Sequence, residues 1–217
     1  MSPERRTSLS TDPRIRVFDR IAWVYALLYH VQRLGFRRGF AALRQRLGLP
    51  TGARVLEIGC GTGALASVLQ ESGFDVRAVD ASPRMIATAR RLLREAGHHE
   101  LAARMCMGNP LQGLDSPDRH FDLVLATHVV HGMPAPQRRQ FFLEARRVSR
   151  GLALFCDYAP RALRGPRPLM RVLEGLERSD YRCFRRRGLE ELRRVFSGVE
   201  VVAASRGSAW YLCRWRP

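Results

Sequence analysis

The chain has 217 residues, 46% of them hydrophobic, which suits one domain with a full core. Its formal net charge is +17, and all 37 basic residues are arginine. Its five cysteines are odd in number and form no C-x-x-C pair, no apolar run reaches membrane-spanning length, and the polar first residues lack a signal-peptide core; these features argue against a disulfide framework, a zinc site and a transmembrane protein.

A cytoplasmic location is expected, with peripheral membrane contact left open. The arginine excess has two readings. One is compositional bias spread over a solvated surface. The other is a basic face for RNA, anionic lipid or an acidic substrate.

Residues 1–13 are rich in Ser, Thr, Pro and Arg and are expected to fray. From Ile15 to Leu47 the pattern is helical, with a break expected at Gly35 and Gly39, and Gly48 and Pro50 close the region. Arg54 to Ile58 reads as a strand, Gly63 to Glu71 as a helix and Asp75 to Val79 as a second strand. Ser82 is placed to cap the next helix, with Pro83 at its first position and Gly97 past its end. A weak third strand is expected over Ala102 to Met107 and a clear fourth over Phe121 to Thr127. Pro136 opens a helix, Leu152 to Cys156 is a fifth strand, and Leu189 to Phe196 is a short helix. Two closing strands, Val199 to Ala204 and Ala209 to Arg214, pair through Gly207. The alternation predicts an α/β fold: a mostly parallel sheet with helices on both faces and an antiparallel edge.

The segment Val55-Leu56-Glu57-Ile58-Gly59-Cys60-Gly61-Thr62-Gly63 runs from a strand through three glycines into a helix. Such a loop turns tightly, admits a ligand without Cβ atoms in the way, and points helix N–H groups at it. Read as Gly59-x-Gly61-x-x-Ala64, it satisfies a loose dinucleotide pattern, with Asp80 at ribose distance. Glu57 argues for another cofactor. A carboxylate there would repel a pyrophosphate, whereas an ammonium would pair with it; the plain alternative is a salt bridge to an arginine. Asp80 suits two ribose hydroxyls, its plain alternative being a helix cap.

Val55 to Gly63, Val79 to Met85 and Phe121 to Thr127 together resemble the class I S-adenosylmethionine (SAM)-dependent methyltransferases, and within them the small-molecule group that includes ubiquinone and menaquinone methyltransferases. The resemblance spans roughly residues 15 to 214. It implies a Rossmann-like seven-stranded sheet in the order 3-2-1-4-5-7-6 with strand 7 antiparallel. Residues 1–217 would form one domain: a helical lid over 1–47, and a SAM-binding core over 48–217 with 158–187 as a substrate-covering insertion. It also implies SAM contacts from Glu57, Gly59, Cys60, Gly61, Gly63, Asp80, Ala81, Met85 and Thr127. Phe18, Ala22 and Tyr25 match the Phe-x-x-x-Ala-x-x-Tyr element that brings a Tyr over the cofactor; alternatively Phe18, Ile21, Tyr25 and Leu28 are simply a buried helix face. Where the family often has Gly-Asp-Ala, this chain has Gly108-Asn109-Pro110. Asn109 can still accept from adenine, but Pro110 has no N–H to give.

Methyl transfer needs a base only if the acceptor starts protonated. Candidates are His128 and His131 after the fourth strand, and Asp157 and Tyr158 at the end of the fifth. His98-His99 reads as surface loop. No metal site is expected. Neither an Asn-Pro-Pro-Tyr motif nor a Pro-Cys pair is present, so a small-molecule acceptor is preferred. An RNA methyltransferase and a non-catalytic SAM-binding protein are the alternatives.

Overall fold

The computed structural model describes residues 13–160, 181–205 and 207–216. Seven strands form one sheet in the order β3-β2-β1-β4-β5-β7-β6, the order the resemblance implies. They are β1 (Arg54–Ile58), β2 (Asp75–Asp80), β3 (Met105–Met107), β4 (Leu123–Thr127), β5 (Leu152–Tyr158), β6 (Gly198–Ser205) and β7 (Ser208–Arg214). β1 with β2, β2 with β3, and β4 with β5 pair in parallel, while β7 runs antiparallel to both β5 and β6. The central strands are mostly apolar because both of their faces are covered; all seven residues of β5 are buried, and Glu57 on β1 and Asp157 on β5 are buried acids among them.

The chain divides into two compact units at Asn109/Pro110. The first holds helices α1 (Pro13–Leu47), α2 (Ala64–Glu71), α3 (Pro83–Glu95) and α4 (His99–Ala103) with β1–β3. Ser82 caps α3 as the sequence predicts, its Oγ accepting from Met85 N at 3.1 Å, with Pro83 at the first turn.

α1 departs from expectation in two ways. It is one 35-residue helix that passes through Gly35 and Gly39 without a break. Each glycine costs about 1 kcal/mol in a helix interior, and burial of Phe40, Leu43 and Leu47 beyond them offsets it. Its buried face is also not the expected one. Ile15, Ala22 and Tyr29 are buried, whereas Phe18, Ile21 and Tyr25 are half-buried and Leu28 is exposed. Polar contacts pin α1 down. Asp19 accepts from Ser82 Oγ (2.5 Å) and Arg84 N (3.2 Å), Gln32 lies 3.5 Å from Thr62 Oγ1, and Arg33 and Arg37 both reach Glu71.

Smaller corrections follow from packing. Ala102 belongs to α4, so β3 begins only at Met105. His98 is half-buried, with Nδ1 3.0 Å from Gln70 Oε1 and Nε2 3.3 Å from Glu71, rather than in a surface loop.

In the second unit, β4 starts at Leu123, with Phe121 held in a lone bridge to Ser149. α5 is Ala135–Val148 and α6 is Tyr181–Val195, so the helix expected from Leu189 begins eight residues earlier. Of the expected 158–187 insertion, residues 161–180 lie outside the described residues; Tyr158 ends β5 and residues 181–187 are helical. The fully buried Arg138 of α5 pairs through Nε and Nη2 with Glu191 of α6 (2.6 and 2.7 Å) and stacks over Phe184. Arg147 similarly binds Glu144, Asp118 and the Leu114 and Ser116 carbonyls. Part of the arginine excess is thus spent on internal contacts.

A Cβ built on Gly35 meets nothing within 4 Å. Gly35→Ala should therefore raise unfolding free energy by about 0.5–1 kcal/mol, read as a higher urea midpoint at unchanged slope. A lower midpoint would mean that α1 is not a continuous helix in solution.

Candidate functional site

In the first unit the site is built where β1 turns into α2. Gly59, Gly61 and Gly63 all adopt left-handed backbone angles (φ 73°, 52° and 77°). Gly59 N and Cys60 N donate to Val79 O at 2.8 and 3.1 Å, and Gly63 N donates to Cys60 O at 2.9 Å. The glycines do different jobs. A Cβ at Gly61 would enter open space, whereas one at Gly63 would press on Leu93 (3.1 Å) and Met105 (3.3 Å). Gly61 therefore leaves room for a ligand, and Gly63 lets α2 start close against its neighbours.

Asp80, at the end of β2, braces this loop. Its Oδ2 accepts from Gly61 N at 2.9 Å and its Oδ1 from Ser82 N at 2.8 Å. Each oxygen retains a lone pair for a further donor. Burial raises its pKa, the Ser82 and Gly61 N–H groups pull it back, and Asp19 adds to the rise.

Glu57 is the anomaly of the loop. It is 1% exposed, and its Oε2 is buried with no hydrogen-bond partner among the described residues. Burial, and secondarily the charge of Asp80, lifts its pKa from 4.5 to about 8, against the pull of the Ala66 N–H. Among the described residues, the salt bridge to an arginine that the sequence left open is not formed.

In the second unit the chain leaves β4 through His128, which has φ 53° and donates its N–H to Cys156 O at 2.8 Å. A left-handed histidine is uncommon and strained. Here it turns the chain into a short 3₁₀ segment, Val130–Gly132, whose N–H groups on Val130 and His131 both reach Asp157 Oδ2 at 3.2 Å. Asp157 Oδ1 accepts from Tyr158 N (2.7 Å) and lies 2.7 Å from His131 Nδ1. Burial alone would push Asp157 up, but His131, His128 and the Tyr158 N–H outweigh it and hold the carboxyl below its ordinary range. Tyr158 packs edge-on to His131 and His128, with centroids 5.0 and 6.0 Å away, and beside Tyr181 at 5.1 Å. His128, His131 and Asp157 could also gather about a cation, but Asp157's oxygens are already engaged by three N–H groups and an imidazole, the arrangement of an oriented Asp–His pair.

The expected residues thus fall into two groups, one per unit. Glu57, Gly59, Gly61, Gly63 and Asp80 form the loop cluster; His128, His131 and Tyr158 form the aromatic one. Cys60 is buried, its thiol pushed well up by burial and by Asp80 and Glu57, and its backbone N–H and carbonyl hold the loop together. Met85 is 2% exposed in the first turn of α3 and packs as core. Tyr25, Ala81, Asn109 and Thr127 are half-buried, and Pro110 is buried at the start of a 3₁₀ turn. Sequence reasoning missed Asp19. Its signal was there: it is the single acid in α1, among eight arginines.

Glu57 binds its proton more tightly folded than unfolded. Its penalty is absent below about pH 4.5 and grows as pH rises toward 8. Glu57→Gln should therefore stabilise the free protein by about 2–4 kcal/mol near pH 8 and leave it unchanged in acid. Equal thermal shifts at both pH values would refute the raised pKa.

A family model described as a methyltransferase domain matches residues 55–151. The demethylmenaquinone methyltransferase of Tropheryma whipplei (strain Twist) is 29% identical over 158 residues, covering 70% of this chain and 62% of that protein. The phosphatidylethanolamine N-methyltransferase of Cereibacter sphaeroides is 38% identical over 87 residues, covering 40% of this chain and 41% of that one. This chain therefore spans less than two thirds of either relative. Among solved structures, a SAM-dependent methyltransferase from Aquifex aeolicus superposes with a TM-score of 0.59 at 19% identity, covering 83% of this chain and 91% of that one, a likeness of fold.

Proposed function

We propose that the chain is a class I SAM-dependent methyltransferase that transfers a methyl group from SAM to a small-molecule acceptor, with the His131–Asp157 pair taking up the acceptor's proton; the methyltransferase-domain match over residues 55–151 and the strand order support this reading. The observation that carries the cofactor half is the unpartnered carboxylate oxygen of Glu57. A buried carboxyl with one oxygen lacking a partner among the described residues, beside a glycine that leaves open space, fits an amino-acid ammonium far better than a pyrophosphate. The remaining lone pairs of Asp80 fit two ribose hydroxyls, and Tyr25, Ala81 and Asn109 are half-buried residues that can complete the contacts.

When bound, SAM supplies a methyl group already activated on a positively charged sulfur, so the protein's work is alignment, exclusion of water and proton uptake. With Nδ1 of His131 turned to Asp157, Nε2 is the nitrogen that accepts a proton. The low-pKa carboxylate of Asp157 then stabilises the imidazolium that results. His128, Tyr158 and Tyr181 supply apolar ring faces suited to an unsaturated or aromatic acceptor. The named acceptors of the two relatives, a demethylated menaquinone and phosphatidylethanolamine, support a small molecule.

Two measurements test this reading. At about pH 6.5 Glu57 is protonated in the free protein and must ionise to pair with an ammonium, so SAM binding should release about one proton per site. Calorimetry in buffers of different ionisation enthalpy reads the release, and Glu57→Gln should abolish it and weaken binding about tenfold to hundredfold. Proton uptake, or undiminished affinity in the variant, would remove Glu57 from the site.

For the base, His131→Ala should lower kcat about 10²–10⁴-fold with SAM affinity intact, and the acid limb of the kcat/KM profile should vanish. His128→Ala should cost less, since His128 serves by its backbone turn and ring face. A larger loss at His128 would reverse the assignment.

A further inference from the structure

We propose that the outward face of α1 docks on the surface of an anionic lipid bilayer. Trp23, Leu27, Val31 and Leu34 stand at helical spacings of four, four and three, so they form one stripe. They are 66%, 73%, 70% and 50% exposed, whereas most of the chain's large apolar side chains are buried. The opposite face of the same helix is occupied: Ile15, Ala22 and Tyr29, then Phe40, Leu43 and Leu47, pack into the first unit. The stripe is therefore not spare core surface but a second, separate apolar face. From Trp23 to Leu34 it runs about 16 Å along the helix.

The residues at its two ends say what it meets. Arg20 lies three positions before Trp23 and Arg38 four after Leu34, so both continue the stripe, and both are exposed. An apolar band with a tryptophan, closed at each end by arginine, matches a bilayer interface. The ring and aliphatic groups enter the headgroup–acyl boundary, while guanidinium groups stay at the level of lipid phosphates. The chain's net charge of +17 adds long-range attraction to an anionic leaflet. No described helix is long and apolar enough to cross a membrane, so the contact lies in the plane of the surface. A second copy of the chain fits the face poorly. Antiparallel two-fold pairing centred on the stripe would set Arg20 of each copy against Arg38 of the other, like charge on like. The proposal stands independently of the methyl-transfer reading.

The test uses the full chain and two sets of vesicles, phosphatidylcholine alone and an equal mixture of phosphatidylcholine and phosphatidylglycerol. Trp23 is the exposed tryptophan, Trp210 and Trp215 being buried, so its emission reports on this face. Wild type should co-sediment with the mixed vesicles and shift its emission to the blue. Leu27→Ser/Val31→Ser leaves the charge unchanged and should reduce affinity more than tenfold, with the melting temperature preserved. Arg20→Gln/Arg38→Gln should cost about thirtyfold. Undiminished binding by the serine variant would show that bulk charge alone is responsible and would overturn the proposal. So would absence of wild-type binding, or a dimer seen by sedimentation that the serine variant dissociates in place of vesicle binding.

Discussion

A carboxylate in the dry end of a parallel strand is unfavourable unless a cation joins it, and Glu57 is held there with one oxygen unpartnered among the described residues. The construction of the first unit follows from tolerating that group. Asp80 could have relieved the crowding of charge by turning away, but its two oxygens are tied to Gly61 and Ser82. Asp19 in turn holds Ser82 from α1. Asp80 and Asp19 are thereby joined through Ser82, while Glu57 stands near enough to Asp80 for its charge to help keep the Glu57 carboxyl protonated in the free protein up to about pH 8. Under the proposed cofactor role, the cost of burying that group is offset only when an ammonium binds.

The second unit solves a related problem the other way. Asp157 is as buried as Glu57, yet its pKa falls rather than rises, because three N–H groups and an imidazole converge on it. The same contacts set the backbone: the left-handed turn at His128 and the short 3₁₀ segment bring His131 round to the carboxylate. Strain at one residue is thus coupled to the orientation of another. Tyr211 finishes the support by donating its hydroxyl to the Tyr158 carbonyl at 2.6 Å.

α1 joins two kinds of chemistry on one element. Its inner face carries Asp19, Gln32 and Arg33 to the elements around the glycine loop, and its outer face is apolar with arginine ends. A helix built this way has little overall amphipathicity, since apolar residues occur on both sides. That is why periodicity alone assigned its buried face to Phe18, Ile21, Tyr25 and Leu28, one strip away from Ile15, Ala22 and Tyr29.

The local chemistry of the chain determined much by itself. Strand runs bounded by glycines, the Ser82–Pro83 cap and the acid before the glycine loop are short-range signals, and they placed most of the strands and pointed to Glu57 and Asp80; the strand order came only from the family resemblance those motifs carry. Tertiary structure decided what depends on distant partners. Gly35 and Gly39 stay helical because residues beyond them are buried against another element, which no window of sequence contains. His98 leaves the surface because Gln70 and Glu71 receive it. The choice between His128 and His131 turned on a carboxylate 26 residues further along the chain, and the proton-accepting role proposed for His131 rests on that long-range contact.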